Sequence, residues 1–330
     1  MNNIHAVPTN IITGFLGTGK TSTILHLLQH KPDNERWAIL VNEFGEIGVD
    51  GSLFQGQHSE ESGVFIRELP GGCMCCAAGL PMQIALSQLL SRAKPDRLLI
   101  EPTGLGHPIE VLQVLSADHY KDVLSIQKVV TLVDARKLTD TRYTEHGTFN
   151  QQIAIADLVV GNKQDLYKRG DKARFTTYVK ENGSPNTTFL FTEHGVLDPS
   201  CLQGETEATS PGHHHHEHEE VETVSLSDAP IPECGYIKAA NQGEGFESIG
   251  WRFSASKVFD RSKLFTFLSG ISVERMKAVF ITSDGVFGYN LTSDALTQIE
   301  LDDCLESRIE IIATQMDNAW ETQLLACLEV

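Results

Sequence analysis

Along roughly the first 196 residues, short unbroken apolar runs alternate with stretches whose apolar residues recur every three or four positions. The runs "NIITGF" (10–15), "WAILV" (37–41), "RLLIE" (97–101), "VVTLVDA" (129–135), "DLVVGN" (157–162) and "TTFLF" (187–191) read as strands buried on both faces. A strand with one wet face would alternate apolar and polar side chains instead. Between the runs, Ile24, Leu27 and Leu28, and then Met82, Leu86, Leu89 and Leu90, fall on single faces of helices. This alternation predicts an α/β domain with a mainly parallel sheet and helices on both faces.

The pattern then stops. "SCLQGETEATSPGHHHHEHEEVETVSLSDAPIPE" has no apolar period and many turn-forming or charged residues, which predicts a flexible linker. Beyond it, Ile249, Trp251 and Phe253 alternate as in a strand, and "AVFITSDGVFGYNL" (278–291) reads as a hairpin. Trp320, Leu324 and Leu328, four apart, mark a last helix. The expected organisation is an α/β domain over 1–196, an acidic, His-rich linker over 197–235 and a smaller C-terminal α+β domain over 236–330.

Composition changes this picture little: the chain is 41% hydrophobic and 21% charged, enough to fill both cores. No apolar run approaches the roughly 18–20 residues of a membrane span, and the N-terminus lacks the basic region of a signal peptide. The expected location is therefore the cytoplasm, with no membrane partner; thiols there stay reduced, and clustered cysteines read as metal ligands or catalysts before disulfides. A net charge of −18 argues against nucleic acid as a partner, because phosphate backbones call for Lys and Arg. The acidity is local: between Lys180 and Lys238 there are 11 acidic residues and no Lys or Arg.

"GFLGTGKT", from Gly14 to Thr21, fits the G-x-x-x-x-G-K-[ST] phosphate loop, with an apolar strand running in and an amphipathic helix running out. Gly14, Gly17, Thr18, Gly19 and Ser22 belong to the cradle, whose backbone N–H groups converge on phosphate oxygens. Lys20 is placed to reach the β- and γ-phosphates and Thr21 to ligate Mg²⁺. "NKQD" ends a later strand: Asp165 can accept hydrogens from N1 and the 2-amino group of guanine, Lys163 lies over the base and Asn162 braces the loop. Adenine offers no such pair of donors, so the nucleotide is read as GTP. "EPTG" closes what reads as the third strand. Glu101 there is either a carboxylate near Mg²⁺ or a structural cap on the next helix, and the N–H of Gly104 can meet the γ-phosphate. Leu105 follows, where a glutamine could have oriented water, and no arginine finger is evident. Intrinsic hydrolysis is expected to be slow.

"PGGCMCC" (70–76) gathers three of the seven cysteines into four residues. Thiolates favour tetrahedral Zn²⁺, and Gly71 and Gly72 permit the sharp turn that would bring Cys73, Cys75 and Cys76 together; packing or a redox pair are the alternatives. Glu43, in "NEFGEIGVDG" (42–51), reads as a fourth ligand, a magnesium contact or a plain surface carboxylate. His213, His214, His215, His216 and His218, in "HHHHEHEE", read as a loose metal-capturing tract or as low-complexity linker.

Together, "GFLGTGKT", "NEFGEIGVD", "GGCMCC", "EPTGLGHP", "NKQD" and the His-rich linker resemble the CobW-type metallochaperone P-loop GTPases, and within them the YeiR-like zinc-binding branch. The resemblance spans essentially the whole chain. It implies a GTPase domain with an appended α+β domain, GTP hydrolysis with Mg²⁺, and zinc held by Cys73, Cys75 and Cys76. It also implies delivery of metal to a client metalloprotein. A zinc store or sensor, and a chaperone for cobalt or nickel, are the competing readings. Self-association dependent on metal or nucleotide, or client binding, is the role left to the C-terminal domain.

Overall fold

The computed structural model describes residues 4–42, 62–69, 80–208, 230–243, 245–292, 294–301 and 304–329, which belong to two compact units. In the first, the described strands are β1 (Val7–Gly14), β2 (Trp37–Asn42), β3 (Val64–Leu69), β4 (Arg97–Glu101), β5 (Leu124–Ile126), β6 (Val130–Asp134), β7 (Leu158–Asn162) and β8 (Thr188–Phe191). They form one sheet in the order β3-β2-β4-β1-β6-β7-β8, parallel throughout. β5 pairs with the first half of β1 and β6 with the second. β6 and β7 are buried along their whole length, which their unbroken apolar runs require.

Helices α1 (Lys20–Gln29), α2 (Leu80–Ala93), α3 (Pro108–Leu115), α4 (Thr141–Thr144), α5 (Gly147–Ala154) and α6 (Asp171–Asn182) cover the sheet. α1 buries Ile24, Leu27 and Leu28, and α2 buries Met82, Leu86, Leu89 and Leu90, as their spacing predicts. Each such leucine contributes about 2 kcal/mol of burial energy. The mainly parallel α/β domain and the separate smaller α+β unit expected from sequence are both present.

Two strands of this sheet have no counterpart in the sequence reading. β3, "VFIREL", is an edge strand whose Arg67 is exposed, so it carries neither a continuous apolar run nor a clean alternation. β5 has only three residues, too few for a period. The strand ending in "EPTG" is consequently the fourth along the chain, not the third.

Nor does the chain leave the first unit at residue 196. A short turn, Pro199–Leu202, buries Leu202, and the Leu202 carbonyl accepts a hydrogen bond from Asn10 Nδ2 at 2.8 Å. Gln127 bridges to Glu205, and Asp157 accepts from Thr206 Oγ1 at 2.7 Å and from the Glu207 N–H at 2.9 Å. Asn10 lies fully buried in the central strand, so its amide must be satisfied by protein. The polar composition that reads as linker here supplies those partners through residue 208.

The second unit is an antiparallel sheet of β9 (Tyr236–Gly243), β10 (Phe246–Ser254), β11 (Arg275–Thr282), β12 (Gly285–Thr292), β13 (Leu296–Leu301) and β14 (Glu306–Ala313), in the order β13-β12-β11-β14-β10-β9. The predicted hairpin is β11–β12. Helices α7 (Arg261–Gly270) and α8 (Ala319–Leu325) cover one face, enclosing Trp251, Phe253, Phe259, Phe280, Tyr289 and Trp320. Asp260 caps α7 by accepting from the N–H groups of Ser262 and Lys263. Alternation puts Arg252, Arg275, Lys277, Arg308 and Glu310 on the opposite face. There Glu306 receives Nε of both Arg252 and Arg308 at 2.7 Å.

Candidate functional site

Because the first sheet is parallel, β1, β4, β7 and β8 all deliver their following loops to the same edge, the edge where open α/β sheets bind ligands. The loop after β1 is shaped by its glycines. Gly14 has φ +141°, and a Cβ there would lie 2.4 Å from the Leu132 carbonyl oxygen. Gly19 has φ +100°, and a Cβ there would lie 2.4 Å from Asn162 Nδ2. Gly17 adopts φ +69°. The buried Lys20 ammonium folds back to donate to the carbonyls of Gly14 at 2.9 Å and Phe15 at 3.3 Å, and Thr18 Oγ1 donates to Phe15 O at 2.9 Å. The N-cap of α1 is Gly19, which has no side chain to cap the first turn, and the N-terminus carries the helix's partial positive charge. Ser22 lies exposed on that turn.

The loop after β4 meets this one directly. Thr21 Oγ1 donates to Glu101 Oε1 at 3.0 Å, and Glu101 is 1% exposed. The N-cap of α3 is His107, which makes no side-chain cap bond, and the Glu101 carboxylate is turned toward the phosphate loop. A Cβ on Gly104 would lie 2.9 Å from the Leu16 nitrogen, so only glycine lets the two backbones approach this closely. A hydroxyl and a buried carboxylate side by side are hard oxygen donors of the kind Mg²⁺ takes, and Thr21 and Glu101 fit that ion.

Asn162 ties the third and fourth loops to the first. Its buried side chain donates from Nδ2 to the Thr18 carbonyl at 2.9 Å and accepts at Oδ1 from the Gly195 N–H at 3.1 Å. Lys163 follows in the left-handed conformation, φ 62°, which turns the chain into the short turn Gln164–Leu166 and leaves Asp165 exposed at the rim. Tyr167 secures the turn from behind: its hydroxyl donates to Asn162 O at 2.7 Å and accepts from the Ala135 N–H at 3.2 Å. Burial pushes the Tyr167 hydroxyl pKa up, so it stays protonated and able to donate.

The structure thus brings Gly14, Gly17, Thr18, Gly19, Lys20, Thr21, Glu101, Gly104, Asn162 and Lys163 to one edge of the sheet. It also shows contributors that sequence reading passes over. The loop Thr192–Gly195 forms one wall: Gly195 has φ +75°, and a Cβ there would lie 2.8 Å from the Thr23 nitrogen in α1. A glycine shortly after the last apolar strand was the available signal. Tyr167 had none, since it acts by tertiary contact. Cys73, Cys75, Cys76, Glu43 and His213, His214, His215, His216 and His218 lie outside the described residues. Among the described residues there is no cluster of three or more His, Cys, Asp or Glu that could hold a metal ion, and no helix long and apolar enough to cross a membrane.

Residues 8–189 match the family model described as CobW/HypB/UreG, nucleotide-binding domain. The chain is 40% identical over 324 residues to the zinc chaperone YeiR of Escherichia coli (strain K12), covering 96% of this chain and 97% of that one. It is 30% identical over 225 residues to the zinc chaperone CobW of Sinorhizobium sp, covering 61% and 63%. It is 32% identical over 168 residues to zinc-regulated GTPase metalloprotein activator 1 of Schizosaccharomyces pombe (strain 972), covering 50% and 41%.

Proposed function

Because the chain belongs to the CobW/HypB/UreG family, we propose that it is a GTPase which couples its nucleotide state to passing zinc to client apoproteins in the cytoplasm. The GTPase part is carried by one observation: the Thr21–Glu101 pair stands at a phosphate loop whose carbonyl at Thr18 is held by Asn162 of "NKQD". Phosphate-binding and guanine-reading segments are thereby joined through a single buried side chain.

Each residue then has a defined task. Lys20 and the amino end of α1 offset the charge of the terminal phosphates, and the loop backbone orients them for in-line attack by water. Thr21 and Glu101 would hold Mg²⁺, which when bound supplies charge neutralisation between the β- and γ-phosphates. Lys163 and Asp165 select guanine. Leu105 is fully buried, so no side chain at that position reaches out to orient water. Turnover of the isolated protein is accordingly slow and awaits a partner or metal.

Zinc is the cargo, held by the thiolates of Cys73, Cys75 and Cys76, with Glu43 a further ligand and the histidine tract a looser reservoir. Support comes from the donor chemistry of "GGCMCC" and from chain-length similarity to a zinc chaperone. The cysteines lie between the segment after β2 and the "EPTG" strand, so a γ-phosphate that moves either flank changes their geometry. GTP drives transfer only if zinc affinity differs between nucleotide states.

The test is a zinc titration against a competing chelator, with a non-hydrolysable GTP analogue and then with GDP, on the full chain and on the triple Cys73, Cys75, Cys76→Ser variant. Tight binding that shifts with nucleotide and vanishes in the variant is expected. Equal affinities with both nucleotides would leave a zinc store attached to a GTPase. Alongside, Asp165→Asn should lower GTP affinity about a hundredfold, because an amide in place of the carboxylate sets an N–H against a guanine N–H.

A further inference from the structure

Gln152, on α5, is buried and stands outside every motif named above. Its Nε2 reaches the carbonyl oxygens of Gly104 at 3.1 Å and Gly106 at 3.3 Å, two contacts that require the nitrogen to face the loop after β4. Oε1 of the same amide is buried and accepts no hydrogen bond among the described residues, which costs on the order of 1–3 kcal/mol. An apolar residue would escape that cost, so a packing role gives no reason for glutamine.

The rest of α5 serves the same two loops. Gln151 Oε1 meets His107 Nδ1 at 3.2 Å. Phe149 packs edge-on against Phe15 of the phosphate loop, ring centroids 5.9 Å apart. The backbone under Gln152 is pinned in turn, because Thr131 Oγ1 of β6 donates to its carbonyl at 2.6 Å. Gly104 is therefore gripped from both sides, by the Leu16 backbone and by the Gln152 amide.

We infer that Gln152 is a positioning residue for the γ-phosphate: by holding the carbonyls of Gly104 and Gly106, it seats the loop after β4 against the phosphate loop, with Gly104 packed on the Leu16 backbone beside the Thr21–Glu101 pair. This rests on the GTPase reading above. GDP has no γ-phosphate, so its binding does not draw on this grip. Gln152 thus sets the preference between the two nucleotides without touching either.

The experiment compares the full chain with Gln152→Met, which keeps the volume and removes both donors, and Gln152→Glu, which keeps the shape and places carboxylate oxygens against the carbonyls. Affinities for GDP and for a non-hydrolysable GTP analogue are measured with Mg²⁺, together with thermal melting. The expected result is a roughly tenfold fall in preference for the GTP analogue, with GDP affinity held within about twofold. An equal loss for both nucleotides, or a lower melting temperature with the preference intact, would overturn the inference and leave Gln152 a packing residue. Failure of the unaltered protein to bind GTP would sink the GTPase reading itself, and it shows before any variant is made. Should neither variant fold, amide hydrogen exchange over residues 104–107 of the unaltered protein decides: slower exchange with the GTP analogue than with GDP is expected, and equal exchange overturns the role.

Discussion

The two sheets of this protein solve the same burial problem and end with different capacities. In the parallel sheet every strand points the same way, so the loops after β1, β4, β7 and β8 crowd one edge, and there the backbone turns, the buried Lys20 and the Glu101 carboxylate meet. In the antiparallel sheet neighbouring strands end at opposite edges, and no such convergence arises. Its polar residues lie across a face instead: Arg252, Arg275, Lys277 and Glu310 are buried there, and Glu306 is shared between two arginines. Strand direction alone makes one sheet a platform for chemistry and the other a body held by packing and charge.

That contrast can be broken most sharply at Lys20. Lys20→Ala should cut GTP binding or turnover at least a hundredfold, the scale of a lost charge-assisted contact to a reacting phosphate, while melting changes little. Nucleotide affinity close to wild type would mean that the loop edge is not the site. The matching change in the other sheet is Glu306→Gln, which gives both arginines a neutral amide in place of the shared carboxylate. A loss of about 3 kcal/mol in unfolding free energy is expected, with GTP affinity unchanged.

The pH dependence of the same group sharpens the comparison. Burial works against the charged form of Glu306, but the hydrogen bonds and charges of Arg252 and Arg308 outweigh it and hold the carboxyl below its usual range. With the folded pKa depressed, this stabilisation is present in full above the ordinary glutamate range of about 4.3 and disappears as the pH falls through the lower, folded value. Acid unfolding monitored by Trp fluorescence should therefore begin at higher pH in Glu306→Gln than in the unaltered protein. Coincident acid transitions would contradict the ion-pair account.

Smaller effects belong to the joints of the site. Asn162→Ala removes two buried hydrogen bonds and strands the Thr18 carbonyl and the Gly195 N–H, which should cost about 2 kcal/mol of stability and roughly tenfold in nucleotide affinity. Tyr167→Phe removes only the brace behind the turn, with about 1 kcal/mol and a two- to threefold affinity loss expected by calorimetry. If Tyr167→Phe proved worse than Asn162→Ala, the order of dependence between these loops would be reversed.

What was legible in the sequence were features set by local rules. Unbroken apolar runs can only be strands covered on both faces, and the glycines of "GFLGTGKT" could be read as a turn because L-residues avoid positive φ. The edge strand β3 was not legible, because a half-exposed edge is free to carry Arg67 where a central strand would not. Residues 197–208 read as linker for a related reason: a segment that satisfies a buried asparagine has the same polar composition as one that satisfies nothing.

By itself, then, the sequence determined the alternation of central strands and helices, the division into an α/β part and a smaller α+β part, and the "GFLGTGKT" and "NKQD" motifs, since these depend on side-chain period and on backbone conformations few residues can adopt. Only the tertiary structure decided that Asn162 joins Thr18 to Gly195 and that Glu101 faces Thr21. It also decided that Gln152, unmarked in the chain, holds the loop at Gly104 and Gly106. The physical reason is that a hydrogen bond across 48 or 144 residues of sequence leaves no period and no local preference behind; it exists only once the sheet has brought its ends together.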